Sequence, residues 1–404
     1  MKIIFIFGGM PHYLTALLNK IAEDNNLDVS VIIPKGKGKS IGKGVRLEES
    51  DNSQLFKTIR LDEYNGIFGK PYFKNISKTL SGLKPDILVV GWPYIVPYIF
   101  DFKTRRMARK RGMSLVFREI PFMVAPKNKA IRFYRKNPVF NEDLQIENPT
   151  GLRLFPWACL LNLIRIYYFS RVDATLAYTS SAYSIHQSFG IKKEKIFVTY
   201  NSPDTDQLFK IKQEFKQNGT MPMLNPFRIL HVGRLVKWKK VDVLIDAIHL
   251  LIEKHPLIEL HIIGKGPEED FLKKKAESLG LDKQIIFSGA IYDARILAKE
   301  TLSSAVYVLA GMGGLSINEA MAFGKPIICS RCDGTEKELV RDGYNGFYFK
   351  EDNVADLADK IDAIISNPDL LQKMGAHSES IIRNEINLHT VAEKFVACFR
   401  SLKE

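Results

Sequence analysis

The sequence predicts an α/β protein built from two doubly wound domains that face each other across a cleft. Its 404 residues exceed one ordinary hydrophobic core and fit two domains of roughly 200 residues each. Apolar segments rich in Ile and Val alternate with amphipathic stretches of helix length, which indicates βα units and parallel sheets. A polar, turn-rich stretch at 201–227 separates two such series. We therefore predict a first domain at 1–205 and a second at 206–404, whose last helix is a candidate to pack back on the first domain.

Each half contains six segments with the length and composition of buried strands. In the first half these segments are 2–7, 28–33, 86–90, 114–118, 174–178 and 195–200. In the second half they are 227–232, 258–263, 284–288, 305–309, 326–329 and 346–349. Ligands of open α/β sheets bind beyond the carboxyl ends of the strands, so the loops after these segments are the places to look for a site.

The basic charge of the chain lies in its first half. Residues 1–205 hold 31 Lys and Arg against 17 Asp and Glu, whereas residues 206–404 hold 27 against 28. The segment 101–136 holds 12 basic residues and only Asp101 and Glu119 as acids. Such a field attracts polyanions, which include nucleic acid, anionic lipid and phosphorylated substrates. A merely solvated surface is the alternative.

The N-terminus and the cysteines indicate a cytoplasmic protein. Met1 is followed at once by the strand-like KIIFIF, without the pattern of a signal peptide, and four scattered cysteines suit a reducing compartment. The most apolar segment, 155–169, is too short to span a bilayer. We expect it to be a core or interdomain helix, or else an interfacial helix that rests the first domain on an anionic membrane.

Two glycine-containing loops suggest close approach of the backbone to a ligand. Gly8 and Gly9 follow the first strand and precede a helix predicted near Pro11, an arrangement that suits an anion at a helix N-terminus. Gly264 follows strand 258–263 and permits a tight turn before the next helix. We read the Gly264 turn mainly as structural. Neither the Gly8-Gly9 loop nor the loop from Gly311 to Gly314 has the GxGxxG spacing of a dinucleotide-binding dehydrogenase. The eight histidines are dispersed, and no metal-binding pattern appears.

A basic loop follows strand 227–232. In GRLVKWKK, Gly233 is followed by Arg234 and Lys239, just before a helix predicted to begin near Val241. A guanidinium fork and a mobile ammonium suit a diphosphate, and the helix dipole adds to the attraction. Taken alone, the cluster could equally be surface charge.

A glycine-rich loop with a lone acid follows strand 305–309. The stretch AGMGGLSINEAMAFGKPIICS contains Gly311, Gly313 and Gly314, and a helix predicted from about Leu315 places Glu319 one turn in. A carboxylate among apolar neighbours needs partners that offset its lost hydration. Two sugar hydroxyls could supply them, as could the helix itself or a nearby cation.

With these motifs in order over roughly 227–350, together with DGYNGFYF, the second half resembles the retaining glycosyltransferases of family 4. That resemblance implies the GT-B fold, with two Rossmann-like domains, and a nucleotide-sugar donor. It implies that Arg234 and Lys239 hold the donor diphosphate, that Glu319 binds the ribose hydroxyls and that the amides of Gly314 and Leu315 meet the distal phosphate. The resemblance also implies that the reaction needs no metal or other cofactor, because fixed cations and amides stabilise the leaving diphosphate.

One departure from the family pattern concerns the sugar. The family usually has a second Glu eight residues before the ribose-binding one, and position 311 is Gly. We expect Gly311 and Gly313 to free the loop so that it offers main-chain groups to the sugar or phosphate. The identity of the sugar does not follow from the pattern. Glu119, after strand 114–118, is the candidate for an acceptor-facing carboxylate.

The sequence therefore predicts a cytoplasmic glycosyltransferase at the inner face of the membrane. It would move a sugar from a UDP- or GDP-sugar to a lipid-linked or oligosaccharide acceptor in cell-surface polysaccharide biosynthesis. One alternative is a nucleotide-sugar epimerase on the same fold. Another is a polyanion-binding module, although the basic segment carries no nucleic-acid-binding motif, and we expect no nucleic-acid partner.

Overall fold

The computed structural model describes residues 1–36, 38, 54–120, 124–137, 139, 148–331 and 334–403. These residues form two compact units. The first unit takes its described residues from Met1–Val139, Ile146–Tyr200 and Leu388–Glu404, and the second takes them from Asn201–Asn387. The chain thus leaves the first unit at residue 200 and returns to it for its last helix.

The first unit is built on a sheet of seven parallel strands. In sequence order the strands of this unit are β1 (Lys2–Ile6), β2 (Asp28–Pro34), β3 (Lys57–Leu61), β4 (Glu63–Asn65), β5 (Pro71–Phe73), β6 (Ile87–Gly91), β7 (Ser114–Glu119), β8 (Ala174–Ala177) and β9 (Ile196–Val198). The sheet order is β3-β2-β1-β6-β7-β8-β9, and β4 and β5 form a separate antiparallel hairpin. The central strands are buried on both faces, as an all-parallel sheet requires.

Eight helices of the described chain belong to this unit. They are α1 (His12–Ala22), α2 (Ile76–Leu83), α3 (Ile95–Phe100), α4 (Phe102–Lys110), α5 (Ala130–Lys136), α6 (Leu154–Phe169), α7 (Ser181–Ser188) and α16 (Leu388–Arg400). Apolar residues of α1 and α16 pack on one sheet face, where Phe395 and Phe399 contact Phe5. Residues of α2, α3, α6 and α7 form the core on the other face. The last helix therefore completes the core of the first unit.

The second unit is built on a sheet of six parallel strands. These are β10 (Arg228–Val232), β11 (Glu259–Ile263), β12 (Ile285–Phe287), β13 (Val306–Leu309), β14 (Ile327–Cys329) and β15 (Gly346–Tyr348), in the order β12-β11-β10-β13-β14-β15. The order reverses between β10 and β13, where a doubly wound sheet opens its ligand crevice. The loops after these two strands carry most of the predicted site.

Helices surround the second sheet. They are α8 (Thr205–Gln217), α9 (Val241–Leu251), α10 (Glu269–Ser278), α11 (Ala294–Ser303), α12 (Ser316–Ala322), α13 (Glu336–Leu339), α14 (Val354–Ile365) and α15 (Pro368–Asn384). Side chains of α9, α10 and α14 pack on the sheet in one apolar cluster. Asp and Asn side chains accept backbone N–H groups at the starts of α8, α11, α14 and α15, which satisfies donors that a helix cannot pair internally.

All twelve predicted strands are present, each within two residues of its predicted ends. The predicted division after residue 205 lies five residues too late, and the 201–227 stretch is not simply a linker. Leu208, Ile211 and Phe215 recur at helical spacing within its polar sequence and make α8, which is capped by Asp204 and contacts α11 and α12. These residues bind the segment to the second unit.

Three strands lack a prediction, and each has a reason. β3 is an edge strand with exposed or half-buried residues, and β4 is three residues long and largely exposed. β5 is buried, but its three residues are too few to show a strand pattern. The segment 155–169 is helical, as α6, with one side buried and the other exposed. None of the helices in the described ranges has the length and apolar character needed to cross a membrane.

Candidate functional site

The loops after β10 and β11 cross each other with no room for side chains. A Cβ atom at Gly264, whose φ is 155°, would lie 1.8 Å from the carbonyl oxygen of Gly233. The amide of Gly233 donates to the carbonyl of Ile263 at 3.0 Å. Gly264, predicted to contact the donor, is therefore explained by packing of the two loops, and its part in donor binding stays a prediction.

Gly311 is also explained by packing. A Cβ atom at this position would lie 1.9 Å from the carbonyl oxygen of Trp238, and the amide of Met312 donates to the same oxygen at 2.9 Å. The backbone after β10 thus runs directly against the backbone after β13. A free, adaptable loop was the expectation for Gly311; the structure instead holds its backbone against residues 238–239.

Lys239 binds the glycine-rich loop. Its side chain is buried, and its Nζ donates to the carbonyl oxygens of Met312 and Gly313, each at 2.8 Å. A Cβ atom at Gly314 would lie 3.4 Å from the same nitrogen. Lys239, predicted to bind the donor diphosphate, therefore contacts the loop that is predicted to bind the distal phosphate.

A buried histidine lies beneath this cluster. His231 is at the end of β10, and its Nδ1 lies 3.1 Å from the carbonyl oxygen of Val308. Burial, and then the charge of Lys239, lowers the pKa of His231 to about 4, so the ring is neutral near pH 7. A Cβ atom at Gly233 would contact its Nε2 at 3.4 Å. The ring supports the loop without adding a second charge next to Lys239.

Helix α12 is attached to the sheet by Tyr307. The Tyr307 hydroxyl donates to the carbonyl of Val232 at 3.1 Å and, having one proton, accepts from the Ser316 hydroxyl, whose Oγ lies 2.7 Å away. Burial raises the pKa of the Tyr307 hydroxyl, so it stays protonated. The helix start therefore has a fixed position relative to β10 and the basic loop. Arg234, half-buried on that loop, lies with its guanidinium 5.5 Å from the centre of the Trp238 ring.

Glu319 is half-buried in the first turns of α12, among the buried Ile317, Ala320 and Met321. Burial raises the pKa of its carboxyl to about 7. No described side chain forms an ion pair with it, so neither the helix nor a described cation offsets its lost hydration. Such a carboxyl is suited to accept hydrogen bonds from a ligand.

The second unit thus brings Gly233, Lys239 and the 311–315 loop together, with Arg234 on the same basic loop and Glu319 on the helix that follows. Gly8 and Gly9, also predicted to bind the donor, belong to the first unit. There they line a cavity of about 840 Å³ beyond the carboxyl ends of β1, β6, β7 and β8. Among the described residues no group of three or more His, Cys, Asp or Glu could hold a metal ion.

Glu119 lines this first-unit cavity and is buried. Its Oε2 lies 3.4 Å from Nε2 of His186, and His186 Nδ1 lies 2.9 Å from Thr175 Oγ1. Arg165, also buried at the cavity wall, donates through Nη1 to the Tyr134 hydroxyl at 2.6 Å. The predicted acceptor-side carboxylate therefore lies beside a buried histidine in a polar part of the cavity, and neither Glu119 Oε2 nor His186 Nε2 has a hydrogen-bond partner among the described residues.

Arg118, which precedes Glu119, is a residue that the sequence reading missed. Its Nη2 donates to the Tyr178 hydroxyl, and its guanidinium lies over the rings of Phe7 and Tyr178, at 5.2 and 4.8 Å from their centres. Trp92 and Trp157 also line the cavity. The position of Arg118 at the end of a predicted strand was the signal available in the sequence.

Comparison with known proteins shows where this chain has relatives. Residues 212–380 match the sequence model of the glycosyl transferases group 1 family. An uncharacterized glycosyltransferase of Methanocaldococcus jannaschii is 30% identical over 420 residues, which cover 98% of this chain and 95% of the relative. A poly(ribitol-phosphate) alpha-N-acetylglucosaminyltransferase of Staphylococcus aureus is 25% identical over 203 residues.

The share of the relatives that is covered differs. The matched region spans 56% of an uncharacterized glycosyltransferase of Haemophilus influenzae and 41% of the Staphylococcus protein. Among solved structures, Alr3699/HepE of Anabaena in complex with UDP has a TM-score of 0.68 at 17% identity, covering 99% of this chain and all of that one. Sucrose-phosphate synthase of Thermosynechococcus elongatus also has a TM-score of 0.68, at 15% identity, covering 100% of this chain and 99% of that chain. At these identities the structural likeness shows the fold alone, which is the GT-B arrangement of two α/β domains.

Proposed function

Because this chain belongs to the glycosyltransferases, we propose that it transfers a sugar from a nucleotide diphosphate sugar with retention at the anomeric carbon, as family 4 enzymes do. The observation that carries this proposal is the Lys239 ammonium on the carbonyls of Met312 and Gly313, at the loop that leads to the unpaired carboxyl of Glu319. A cation bound to this loop and a hydrogen-bond acceptor on the helix that follows it match the two polar parts of a nucleoside diphosphate.

In the proposed mechanism, Lys239 and Arg234 stabilise the charge that develops on the leaving diphosphate. The amides of Gly314 and Leu315 add hydrogen bonds to the distal phosphate, and Glu319 accepts those of the ribose hydroxyls. Donors fixed in place before the reaction stabilise the transition state without reorganisation, so the proposal requires no metal or other cofactor. The donor phosphate itself assists deprotonation of the acceptor, so no separate protein base is assigned.

The nucleotide of the donor is proposed to be UDP or GDP. The Anabaena protein of the same fold is described in complex with UDP, and a TarM structure of S. aureus holds UDP together with alpha-GlcNAc-glycerol. The ligands of these two proteins support a UDP-sugar as the donor of this chain. For the transferred sugar, the absence of a carboxylate at Gly311 means that the selection of the donor sugar differs from the family pattern.

We propose that the first-unit cavity binds the acceptor, a lipid-linked or oligosaccharide molecule of cell-surface polysaccharide biosynthesis. Aromatic walls such as Trp92 and Trp157 suit the apolar faces of sugar rings. Glu119, whose Oε2 has no hydrogen-bond partner among the described residues, would accept a hydrogen bond from an acceptor hydroxyl. Gly8 and Gly9, at the same cavity, are then proposed to contact substrate through main-chain groups.

The proposed location is the cytoplasmic face of the membrane, bound through anionic lipid. Leu152, Phe155 and Leu163 expose apolar side chains at 96%, 62% and 62%. The adjoining α5, which packs on α6, exposes basic side chains at Arg132 and Arg135. An apolar strip beside a basic one is the pattern of a surface that inserts shallowly among anionic headgroups.

Thermal-shift screening against UDP, GDP and ADP tests the donor proposal. A ligand that binds only the native state raises its stability as ln(1 + [L]/Kd), so the cognate diphosphate raises the melting temperature. The variants Arg234→Ala and Glu319→Ala should show no such shift, although each should still unfold in one cooperative thermal transition. If no nucleoside diphosphate shifts the wild type, the proposal is wrong.

Incubation with the donor sugar alone separates a transferase from an epimerase, since only an epimerase returns an altered nucleotide sugar.

A further inference from the structure

We propose that the first-unit cavity recognises a phosphate group on the acceptor, and that Arg118 binds it. This inference rests on the proposed function, because it names the chemical class of the acceptor. The phosphate could belong to a lipid headgroup or to a soluble sugar phosphate, and the chemistry at Arg118 is the same for both.

Among the described residues, Arg118 is a cavity cation with no anionic partner. Its contacts are the Tyr178 hydroxyl and the rings of Phe7 and Tyr178, and its Nε has no hydrogen-bond acceptor. No Asp or Glu among the described residues forms an ion pair with it. Burial lowers the pKa of Arg118 to about 10, which still leaves it charged at pH 7. A desolvated cation of this kind is stabilised when a ligand brings the opposite charge.

The surroundings of Arg118 suit a tetrahedral anion with several oxygens. Helix α1 begins at the same cavity, its N-cap Pro11 supplies no side-chain cap, and its first turn holds no acid. Lys70 lines the cavity as well. A phosphate can accept from a guanidinium fork and from a second donor at once, whereas a single carboxylate offers fewer acceptor directions.

The strand geometry places the phosphate and the reacting hydroxyl on different sides. Arg118 and Glu119 are consecutive in β7, so their side chains leave the strand on opposite faces. Arg118 contacts Phe7, on the face where α1 and α16 pack, and Glu119 contacts His186, on the other face. An acceptor that crosses the end of β7 can therefore present a phosphate to Arg118 and a hydroxyl to Glu119.

Calorimetric titration of the full chain tests the proposal. The Arg234→Ala variant serves as background, so that the proposed donor site does not bind the probes. The soluble arm compares glucose 1-phosphate with glucose, and the lipid arm compares phosphatidylcholine vesicles with and without dodecyl phosphate. We expect binding of the phosphorylated probe in at least one arm, and the arm that responds identifies the source of the phosphate.

Substitutions at two arginines decide whether Arg118 is responsible. Arg118→Gln should weaken binding of the phosphorylated probe at least tenfold, and Arg118→Lys should weaken it less, because the ammonium keeps the charge and loses the fork. Arg171→Gln is the matched control, since Arg171 also stacks on a tyrosine, Tyr167 at 3.6 Å, but does not line the cavity. The Arg171→Gln variant should bind the phosphorylated probe as tightly as the Arg234→Ala background does.

Three results would overturn the proposal. They are equal binding of phosphorylated and unphosphorylated probes in both arms, unchanged binding in folded Arg118→Gln and Arg118→Lys, or equal loss in Arg171→Gln. A stabilising shift by a nucleoside diphosphate, measured separately in the Arg118 variants with Arg234 intact, reports on the proposed function. If no diphosphate stabilises any of these chains while phosphate binding depends on Arg118, the transferase proposal fails and the phosphate site stands.

Discussion

A Cβ atom at Gly311 would lie 1.9 Å from the carbonyl oxygen of Trp238, a distance that no side chain tolerates. The family 4 pattern that the sequence resembles usually has a glutamate at this position. In this chain the backbone of residues 238–239 occupies the space where that side chain would begin. Gly311 therefore lets the basic loop run close to the glycine-rich loop, and the contact helps to bring Lys239 onto the carbonyls of Met312 and Gly313.

Restoring a side chain at position 311 should damage the protein. We expect Gly311→Ala to lower the free energy of unfolding by roughly 1–3 kcal/mol, as overpacking of a tight interior does, and Gly311→Glu to lower it further. Denaturant unfolding followed by circular dichroism measures this. Gly314→Ala is the control in the same loop, because its Cβ would make only an ordinary contact at 3.4 Å with the flexible end of Lys239. Equal stability of Gly311→Glu and the wild type would contradict the packing argument.

The fold was predictable because its strands are buried on both faces. Runs such as Ile3–Ile6 and Leu88–Val90 are apolar without interruption, so their composition alone marks them. β3 and the β4–β5 hairpin are partly exposed and carry no such signal. Helix α8 was hidden because its apolar face is narrow and lies within a polar stretch, where loop composition and an amphipathic helix look alike.

The site was predictable where it depends on single positions and not where it depends on contacts. Arg234, Lys239 and Glu319 stand at strand ends or helix starts, which the sequence locates. The requirement for Gly311 arises from Trp238, a residue 73 positions earlier, and no local pattern contains that distance. Arg118 likewise gains its meaning from Phe7 and Tyr178, which come next to it only in the folded sheet.

The carboxyl of Glu319 should make nucleotide binding depend on pH. Its pKa is raised to about 7, and only the ionised form accepts hydrogen bonds from both ribose hydroxyls. We expect the affinity for the nucleoside diphosphate to rise from pH 5.5 to about pH 7.5 and then to level off. Glu319→Gln should bind roughly tenfold or more weakly, in line with about 1.5–3 kcal/mol for hydrogen bonds to a charged group, and without this pH dependence. A wild-type profile that is flat over this range would contradict the assignment.

The same shift predicts how the free protein responds to pH. The Glu319 carboxyl has a pKa of about 7 in the native state and about 4.5 in the unfolded chain. Between these values the unfolded chain has released the proton and the native protein still holds it, so the free energy of unfolding falls as pH rises. Above pH 7 the loss is complete. The difference in unfolding free energy between Glu319→Gln and the wild type should therefore grow from pH 4.5 to 7 and stay constant beyond. A difference that shrinks over that interval would be the wrong sign.

Glu119 should matter for transfer and not for the donor. Glu119→Gln keeps the shape of the side chain but removes the carboxylate beside His186, so acceptor transfer should fall by roughly tenfold to a hundredfold, in line with about 1.5–3 kcal/mol for a hydrogen bond to a charged group. Hydrolysis of the donor without acceptor, and stabilisation by the diphosphate, should be unchanged. His186→Gln, which acts only through Glu119, should show a smaller fall in kcat. If donor hydrolysis falls in parallel with transfer, Glu119 is not acting at the acceptor.

The exposed face of α6 and the basic face of α5 should bind anionic membranes. Co-sedimentation is expected with vesicles that contain phosphatidylglycerol and not with phosphatidylcholine alone, and it should weaken as salt shortens the screening length below about 10 Å. Phe155→Ser with Leu163→Ser should reduce binding by removing the apolar contact, and charge removal at Arg132 and Arg135 should reduce it by weakening the attraction.

Leu257→Ser tests whether any exposed leucine would have the same effect. Leu257 is 74% exposed and belongs to the second unit, whereas α5 and α6 belong to the first. The Leu257→Ser variant should co-sediment with anionic vesicles as the wild type does. Because one side of α6 is buried, with Leu154 and Ala158, and the other exposes the apolar Phe155 and Leu163, the paired serine variant should keep the fold while losing the membrane contact. Binding to neutral and anionic vesicles alike, or equal loss in Leu257→Ser, would show that these two helices do not form the membrane-binding surface.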